Sequence, residues 1–171
     1  IFYLDKNHFK FEEIKLSLNK KDLLIPELSI KKEKNNFLVS GQINNKKILL
    51  DENDIKNFIN PNSFNLDVKN IEFESKNVFS FLIDSKYKFK NIKIDSNVVL
   101  NKFLFLNKLN LNNIFPQVKK NLNLTNHQIK INYDKDILKV EGYGDILIQN
   151  QVDEIKYNII KKKEKVNFSS S

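Results

Sequence analysis

The chain of 171 residues has the length of one domain, carries a net charge of +8 and contains no cysteine. Without cysteine it can form no disulfide, no thiolate nucleophile and no cysteine-ligated zinc site. Arginine is also absent, so the bidentate fork that reads guanine or clamps phosphate is missing. The lysines are spread over almost the whole chain, and this spread indicates the solvated face of a sheet rather than a nucleic-acid surface.

Alternating Ile, Val, Leu, Phe and Tyr residues predict strands through nearly all of the chain. The predicted strands, each bounded by a cluster of Lys, Asn or Asp, are residues 9–18, 23–30, 36–43, 46–50, 64–73, 77–83, 86–94, 97–106, 128–133, 137–142, 145–149 and 154–160. Such close spacing is typical of an antiparallel meander. Pro26 cannot donate to a ladder, so we expect it at a strand edge or in a bulge.

Two stretches interrupt this rhythm and predict short helices. In residues 51–59, Asp51 or Asn53 can cap a helix that Asn60 and the following proline end. In residues 111–122, apolar side chains recur at helical spacing, with a proline that is tolerable only in the first turn. Two short helices are too little to cover a dozen strands.

An eight-residue pattern, apolar-x-apolar-x-x-apolar-x-apolar, occurs four times. The copies are FKFEEIKL from Phe9, LDVKNIEF from Leu66, YKFKNIKI from Tyr87 and LFLNKLNL from Leu104. Strict alternation keeps every second side chain on one face, so the extra central residue requires a bulge, which bends and twists its strand. The sequence therefore predicts a mainly β fold, a long twisted antiparallel meander curled into an open groove with one apolar face, plus two short helices.

No arrangement of residues typical of catalysis or metal binding is found. His8 and His127 stand 119 positions apart without regularly spaced acidic partners, and we interpret both as polar surface or turn residues. The acidic cluster at residues 51–54 precedes the first predicted helix, where negative charge favours the positive end of the helix dipole. We therefore predict no enzyme activity, no catalytic residue and no metal site.

Two local features near the end of the chain are interpreted as structural. Asp134 and Asp136 flank a lysine in a predicted hairpin turn, which supplies no pocket for acid–base chemistry. Gly142 and Gly144 lack the third glycine and the following helix of a phosphate loop. Within a strand, such glycines mark a bulge, a bend or a close backbone approach.

The segment LKVEGYGDI, residues 138–146, carries a resemblance to a known family. Together with the preceding FPQVKKNLNLTNHQIKINYD and the following IQNQVDEIKYNI, it resembles the repeating region of large bacterial envelope proteins of the AsmA-like family. In that family a short amphipathic segment leads into a strand, a charged turn, an apolar-x-Gly-x-(Gly) strand and a strand ending in an aromatic residue. Residues 38–50, LVSGQINNKKILL, follow the same order.

The resemblance implies that residues 1–171 are a single β-rich segment of a larger repetitive protein. It implies an elongated, twisted β-groove that bridges the Gram-negative periplasm, along which phospholipids move from the inner to the outer membrane. No apolar run reaches the roughly 18 residues that span a bilayer, and no signal peptide begins the chain. We therefore expect a periplasmic segment, tethered to the inner membrane by residues outside this chain.

Phospholipid acyl chains are the expected partners, with both membranes contacted through parts of the parent protein not present here; no cofactor and no nucleic acid are expected. The residues expected to line the groove are apolar residues at alternating strand positions. They are Ile14, Leu16, Leu18, Phe37, Val39, Phe79, Phe81, Ile83, Tyr87, Phe89, Ile92, Ile94, Ile129, Ile131, Tyr133, Val140, Ile146, Ile148, Tyr157 and Ile159. Transport along such a lining needs no reactive group.

Two other functions fit parts of the sequence. The same apolar side chains could form the sealed core of a structural or adhesive β-sandwich, because a sheet of about a dozen strands either curls or splits into layers. A basic nucleic-acid-binding module is supported only by aromatic residues beside lysines in residues 87–90, YKFK. Such binding would weaken steeply with salt.

Overall fold

The described part of the chain folds as one antiparallel sheet with a short helix. The structure, a computed structural model, describes residues 1–18, 21–58, 67–106, 121–148 and 151–171. In chain order the elements are β1 (Phe2–Asp5), β2 (His8–Leu18), β3 (Lys21–Glu33), β4 (Asn36–Asp51), α1 (Glu52–Phe58), β5 (Asp67–Ile83), β6 (Phe89–Leu106), β7 (Asn121–Asp134), β8 (Ile137–Leu147), β9 (Val152–Lys162) and β10 (Lys165–Ser170). Each strand pairs with the strands before and after it in the chain, so the sheet is a ten-stranded meander.

The sheet is open. β1 and β10 form its two edges, and the described residues contain no second sheet over either face. The accessible surface is 12669 Å², whereas a compact protein of 20.2 kDa would expose about 8,800 Å². The excess is what a single layer exposes, and the predicted mainly β, open antiparallel meander is confirmed.

Several predicted strands are halves of longer ones. Residues 36–43 and 46–50 belong to β4, residues 67–73 and 77–83 to β5, residues 89–94 and 97–106 to β6, and residues 137–142 and 145–147 to β8. Of the predicted strands, residues 64–66 and 149 lie outside the described residues, and residues 86–88 and 148 lie outside these strands. The polar clusters that divide these pairs in the sequence keep their cross-strand partners, as Asn44 does with Lys76 and Ser75 with Asn45. A ladder is made by the backbone, so polar side chains do not end it. The edge strands β1 and β10 were not predicted.

The helix α1 begins where the sequence places its cap. The Asp51 Oδ1 accepts hydrogen bonds from the backbone N–H groups of Asn53 and Asp54, both at 2.9 Å. These donors have no partner inside the helix, so the capping carboxylate satisfies them. Most of the second predicted helix, residues 111–120, lies outside the described residues, and its last two residues belong to β7.

Bulges occur where the eight-residue pattern predicts them. Glu13 in β2 has a left-handed φ of 57° and is left out of the ladder opposite Pro26. In β5 the register shifts between Val68 and Asn70, and in β6 Asn91 has a φ of 51° at another register shift. The fourth copy, from Leu104, leaves the described residues after its third position.

The register sorts the side chains onto two faces, because residues directly opposite one another across a ladder point to the same side. One row of opposite residues runs Leu4, Phe9, Ile30, Val39, Phe81 from β1 to β5. A second row runs Phe79, Ile94, Tyr133, Leu138 from β5 to β8. We call the side carrying these rows the apolar face and the other side the polar face.

The middle of the apolar face is shielded, whereas its margins are exposed. Ile25, Val39, Ile48 and Leu100 are only 7–8% exposed although no described sheet lies over them. By contrast Phe168, in the edge strand β10, is 62% exposed. Bulges bend a strand, and this distribution of burial is that of a face which curls around its own centre.

Candidate functional site

The apolar face collects most of the residues predicted to line a groove. Seventeen of the twenty lie on it, by following the ladder register from strand to strand: Ile14, Leu16, Phe37, Val39, Phe79, Phe81, Ile83, Phe89, Ile92, Ile94, Ile129, Ile131, Tyr133, Val140, Ile146, Tyr157 and Ile159. Ring contacts confirm the shared side at one end of the sheet. The ring centroid of Phe81 lies 5.9 Å from that of Phe79 and 5.2 Å from that of Phe89.

Three of the predicted lining residues are placed differently. Tyr87 lies in the turn before β6 and is 85% exposed, so its assignment to a strand was wrong. Its backbone N–H donates to the Asp84 carbonyl oxygen at 2.9 Å, and this bond closes the turn. Ile148 follows the last residue of β8. Leu18 is the last residue of β2, and its side chain lies outside the described part of the structure.

The turn before β6 is fixed by Asp84. Its carboxylate accepts a hydrogen bond from the Lys90 Nζ at 2.8 Å and from the backbone N–H groups of Lys88 and Lys86. These bonds, that of Lys90 first, lower the pKa of the Asp84 carboxyl to about 2. The Asp84 carboxylate therefore stays charged at neutral pH and keeps its hydrogen bonds to the turn.

The apolar face also carries a small polar cluster that the sequence did not reveal. Asn45 and Ser75 are opposite residues of β4 and β5, and the Ser75 hydroxyl donates to the Asn45 Oδ1. The Asn77 Nδ2 donates to the Ser75 Oγ at 2.8 Å and to the Ile43 carbonyl oxygen at 3.0 Å. Asn45 and Ser75 are buried. The cluster is paired within itself, which removes the penalty of burying polar atoms.

His127 is buried, so its interpretation as a surface or turn residue was wrong. It is 0% exposed on the apolar face, with Nε2 2.9 Å from the Asp145 carbonyl oxygen and Nδ1 3.3 Å from the Tyr157 hydroxyl. A carbonyl oxygen can only accept, so Nε2 donates to Asp145, while Nδ1 and the Tyr157 hydroxyl share the second hydrogen bond. His8 agrees with its prediction, since it is half-exposed and contacts the Ser29 hydroxyl at 2.8 Å.

The glycines of β8 mark a close approach, as the sequence predicted. A Cβ on Gly142 would lie 2.6 Å from the Tyr157 Cε2, and one on Gly144 would lie 2.6 Å from the His127 Cα. Both rings therefore lie directly against the β8 backbone. Burial in this position raises the pKa of the Tyr157 hydroxyl. Gly144 was the sequence signal for a buried His127, because a missing side chain leaves room for a ring. The signal could be used only once the pairing of β7 with β8 was known.

The polar face carries most of the charges of the strands. Lys10 in β2 contacts Glu12 at 2.9 Å and Glu27 at 3.1 Å. Their hydrogen bonds, that of Glu12 first, raise the pKa of the Lys10 amine. Across β6 and β7, Lys93 lies 3.7 Å from Asp134. The lysines of the strands thus mostly form a solvated side, and the apolar face is the stronger candidate for binding.

Comparisons with protein families, with curated proteins and with solved structures find no match to this chain. Among the residues that the structure describes, no three His, Cys, Asp or Glu side chains are grouped so as to hold a metal ion. In the same part of the chain, no helix combines the length and the apolar character needed to cross a membrane. Function is therefore inferred from the two faces of the sheet.

Proposed function

We propose that this chain binds lipid acyl chains on its apolar face. We further propose that it is a non-catalytic phospholipid-transport segment of a periplasmic protein that bridges the inner and outer membranes of a Gram-negative cell. One observation carries the proposal: every strand from β1 to β10 places apolar side chains on the same side of an open sheet. The AsmA-like sequence pattern of residues 138–146 supports the periplasmic location and the choice of phospholipid as the ligand.

The size of the face suits an acyl chain. Ten strands spaced about 4.8 Å apart give a width of roughly 43 Å across the strands. A 16-carbon chain in water costs on the order of 12 kcal/mol, at about 0.8 kcal/mol for each methylene exposed. A continuous apolar path would remove most of that cost at every position. Transport along it then needs no bond to be made or broken.

The polar cluster and the buried histidine on the path do not oppose an acyl chain, and the two charged residues that β9 places on this face, Asp153 and Lys161, lie near its margin. The amide of Asn77 and the hydroxyl of Ser75 are engaged with each other and with β4. His127 has a partner at each ring nitrogen. A polar group that already has its hydrogen bonds loses little when water is displaced by a lipid tail.

Exposed aromatic residues at the margin offer a place for a lipid to enter. Phe89 is 62% exposed on the apolar face, at the end of the sheet where β6 begins, and its ring contacts that of Phe81. A contiguous exposed apolar patch marks a binding surface, whereas a single exposed apolar side chain does not, and Phe89 is continuous with Phe81 and Phe79 through ring contacts. A tail that slides past Phe89 reaches Phe81 and the shielded centre beyond it.

The proposal is tested by replacing Phe81 with lysine. Phe81→Lys places a charge on the apolar face beside Phe79 and Phe89, and it should lower the phospholipid that copurifies with the protein by at least fivefold. Lipids are extracted from the purified protein and quantified by mass spectrometry. Circular dichroism of the variant checks that the sheet is retained.

The matched control is Val78→Lys, which introduces the same charge in the same strand on the polar face, where Val78 is 54% exposed. It should leave the lipid content unchanged. Phe89→Lys, at the exposed margin, keeps the test informative if Phe81→Lys does not fold. The proposal would be contradicted if the wild-type protein carries no lipid and both Phe81→Lys and Phe89→Lys unfold. That result would identify the apolar face as a sealed core and favour the structural or adhesive alternative.

A further inference from the structure

A cavity of about 1050 Å³ opens on the polar face, between β2 and β6. Its lining contains five lysines and two acidic residues: Lys15, Lys21, Lys46, Lys47 and Lys76, with Asp22 and Glu74. Two smaller cavities are also present. One of about 350 Å³ lies at the polar face near β7 and β8, and one of about 570 Å³ lies at the turn between these strands. Of these three cavities, the largest also has the greatest excess of lysines over acidic residues in its lining.

The ladder register explains why the lysines meet there. Lys15 lies opposite Leu24, Leu24 opposite Asn44, and Asn44 opposite Lys76, so Lys15 and Lys76 share one row on the polar face. In β4 the register shifts between Asn45 and Ile48, which inserts Lys46 beside Lys47. A bulge re-aims a side chain, and here it adds two neighbouring positive charges to the same cavity.

Three of these lysines are free to bind an anion. Lys21 pairs with Asp54 at 3.4 Å, and Lys47 pairs with Glu72 at 2.8 Å. Within the described residues Lys15, Lys46 and Lys76 form no ion pair. Lysine binds phosphate and carboxylate as a compact point charge with three donors, so several lysines around one cavity favour an anionic group.

The same cavity has an apolar part. Leu24, Leu49 and Val99 line it and are 37%, 51% and 40% exposed, although their neighbours along each strand on the polar face are mostly polar. Leu49 and Val99 each lie opposite a glutamate of β5. Exposed apolar side chains beside unpaired lysines are complementary to a molecule with both an alkyl chain and a negative charge.

We propose that this cavity binds an anionic amphiphile, a single alkyl chain with a phosphate or carboxylate head group. The head group contacts Lys46 and Lys76, and the chain lies against Leu24, Leu49 and Val99. The site lies on the side of the sheet opposite the apolar face, so it is independent of the function proposed above. It is a second binding site with its own ligand chemistry.

Titration of the protein with octyl phosphate below its micellar concentration tests the proposal. NMR of ¹³C-labelled Leu and Val methyl groups reports on the cavity directly, and the methyl signals of Leu24, Leu49 and Val99 should shift together. Inorganic phosphate supplies the head group alone, and octyl glucoside supplies the chain with a neutral head. Each should bind at least tenfold more weakly than octyl phosphate. Inorganic phosphate binding as tightly as octyl phosphate would overturn the amphiphile assignment.

Two double variants with the same net charge separate the cavity from general attraction to a basic protein. Lys46→Gln with Lys76→Gln removes two lysines of the cavity and should weaken octyl phosphate binding at least tenfold. Lys31→Gln with Lys139→Gln removes two exposed lysines of the polar face outside the cavity and should change binding less than twofold. Equal losses in the two would overturn the site. Phe81→Lys should leave this binding unchanged, so failure of either proposal can be told from failure of the other.

Discussion

At the scale of single residues, the two glycines of β8 determine how closely an imidazole and a phenol ring lie against the sheet. Gly144 lies under His127, and Gly142 lies under Tyr157. Their missing side chains allow His127 to reach the Asp145 carbonyl oxygen and the Tyr157 hydroxyl at once. A buried histidine with both nitrogens bonded is stable where an unpaired one would be costly.

Gly144→Ala is expected to destabilise the protein by about 1–3 kcal/mol. The new Cβ would meet the backbone Cα of His127 at 2.6 Å, so a strand must shift. Gly142→Ala should cost less, because its Cβ meets the far end of the Tyr157 side chain, which can move. Urea unfolding of the two variants measures the difference. Equal stabilities for wild type and Gly144→Ala would contradict the close packing of His127.

At the scale of elements, bulges reconcile long strands with a face that stays apolar. Register shifts occur between Leu24 and Glu27 in β3, between Asn45 and Ile48 in β4, and again in β5, β6 and β7. Each extra residue would turn the rest of its strand over if the ladder continued without a break. The bulge absorbs it, and the next apolar side chain returns to the apolar face. The pattern apolar-x-x-apolar is therefore a sequence signal for bends.

The bulge at Asn91 in β6 gives the test at this scale. Its φ of 51° is left-handed, a conformation that asparagine and glycine accept and that β-branched residues resist. Asn91→Val should lower the free energy of unfolding by about 1–2 kcal/mol, whereas Asn91→Gly should be tolerated. Asn91 is exposed, so lost packing does not complicate the comparison of thermal midpoints. Equal midpoints for the two variants would show that this bulge is not strained.

At the scale of the whole molecule, stability is distributed along the sheet rather than gathered in one core. β5 and β6 have 17 and 18 residues and pair on both sides, whereas the edge strands β1 and β10 have 4 and 6 residues. Strands in a single layer contact their neighbours and little else. Such an arrangement opens locally from its edges.

Amide hydrogen exchange should therefore be slowest in β5 and β6 and become faster toward β1 and β10. Exchange followed by NMR or by mass spectrometry of peptic fragments measures the gradient. Octyl phosphate and lipid should leave the order of the strands unchanged. Protection as strong in β1 as in β5 would contradict an open edge and indicate that another surface covers it.

Much of the fold could be predicted from the local periodicity of the sequence. Alternation identified nearly every inner strand and put seventeen of the twenty predicted lining residues on one face, and the polar run before Ile55 located the cap of α1. These features depend on neighbours in the chain, since the side-chain period of a strand and the cap of a helix are both local. Their role in binding lipid is a prediction that the Phe81→Lys experiment addresses.

Pairing between distant strands decided the rest. The sequence marked Glu74, Ser75 and Lys76 as a break, yet cross-strand hydrogen bonds carry β5 through them. His127 reads as a surface residue until β8 places Gly144 beneath it and β9 brings Tyr157 to its ring. The lysine cavity likewise exists only where five strands align. By itself the sequence determined which residues of each strand segment share a face. The tertiary structure decided where strands continue and which polar groups meet, because the hydrogen bonds that stabilise both join residues far apart in the chain.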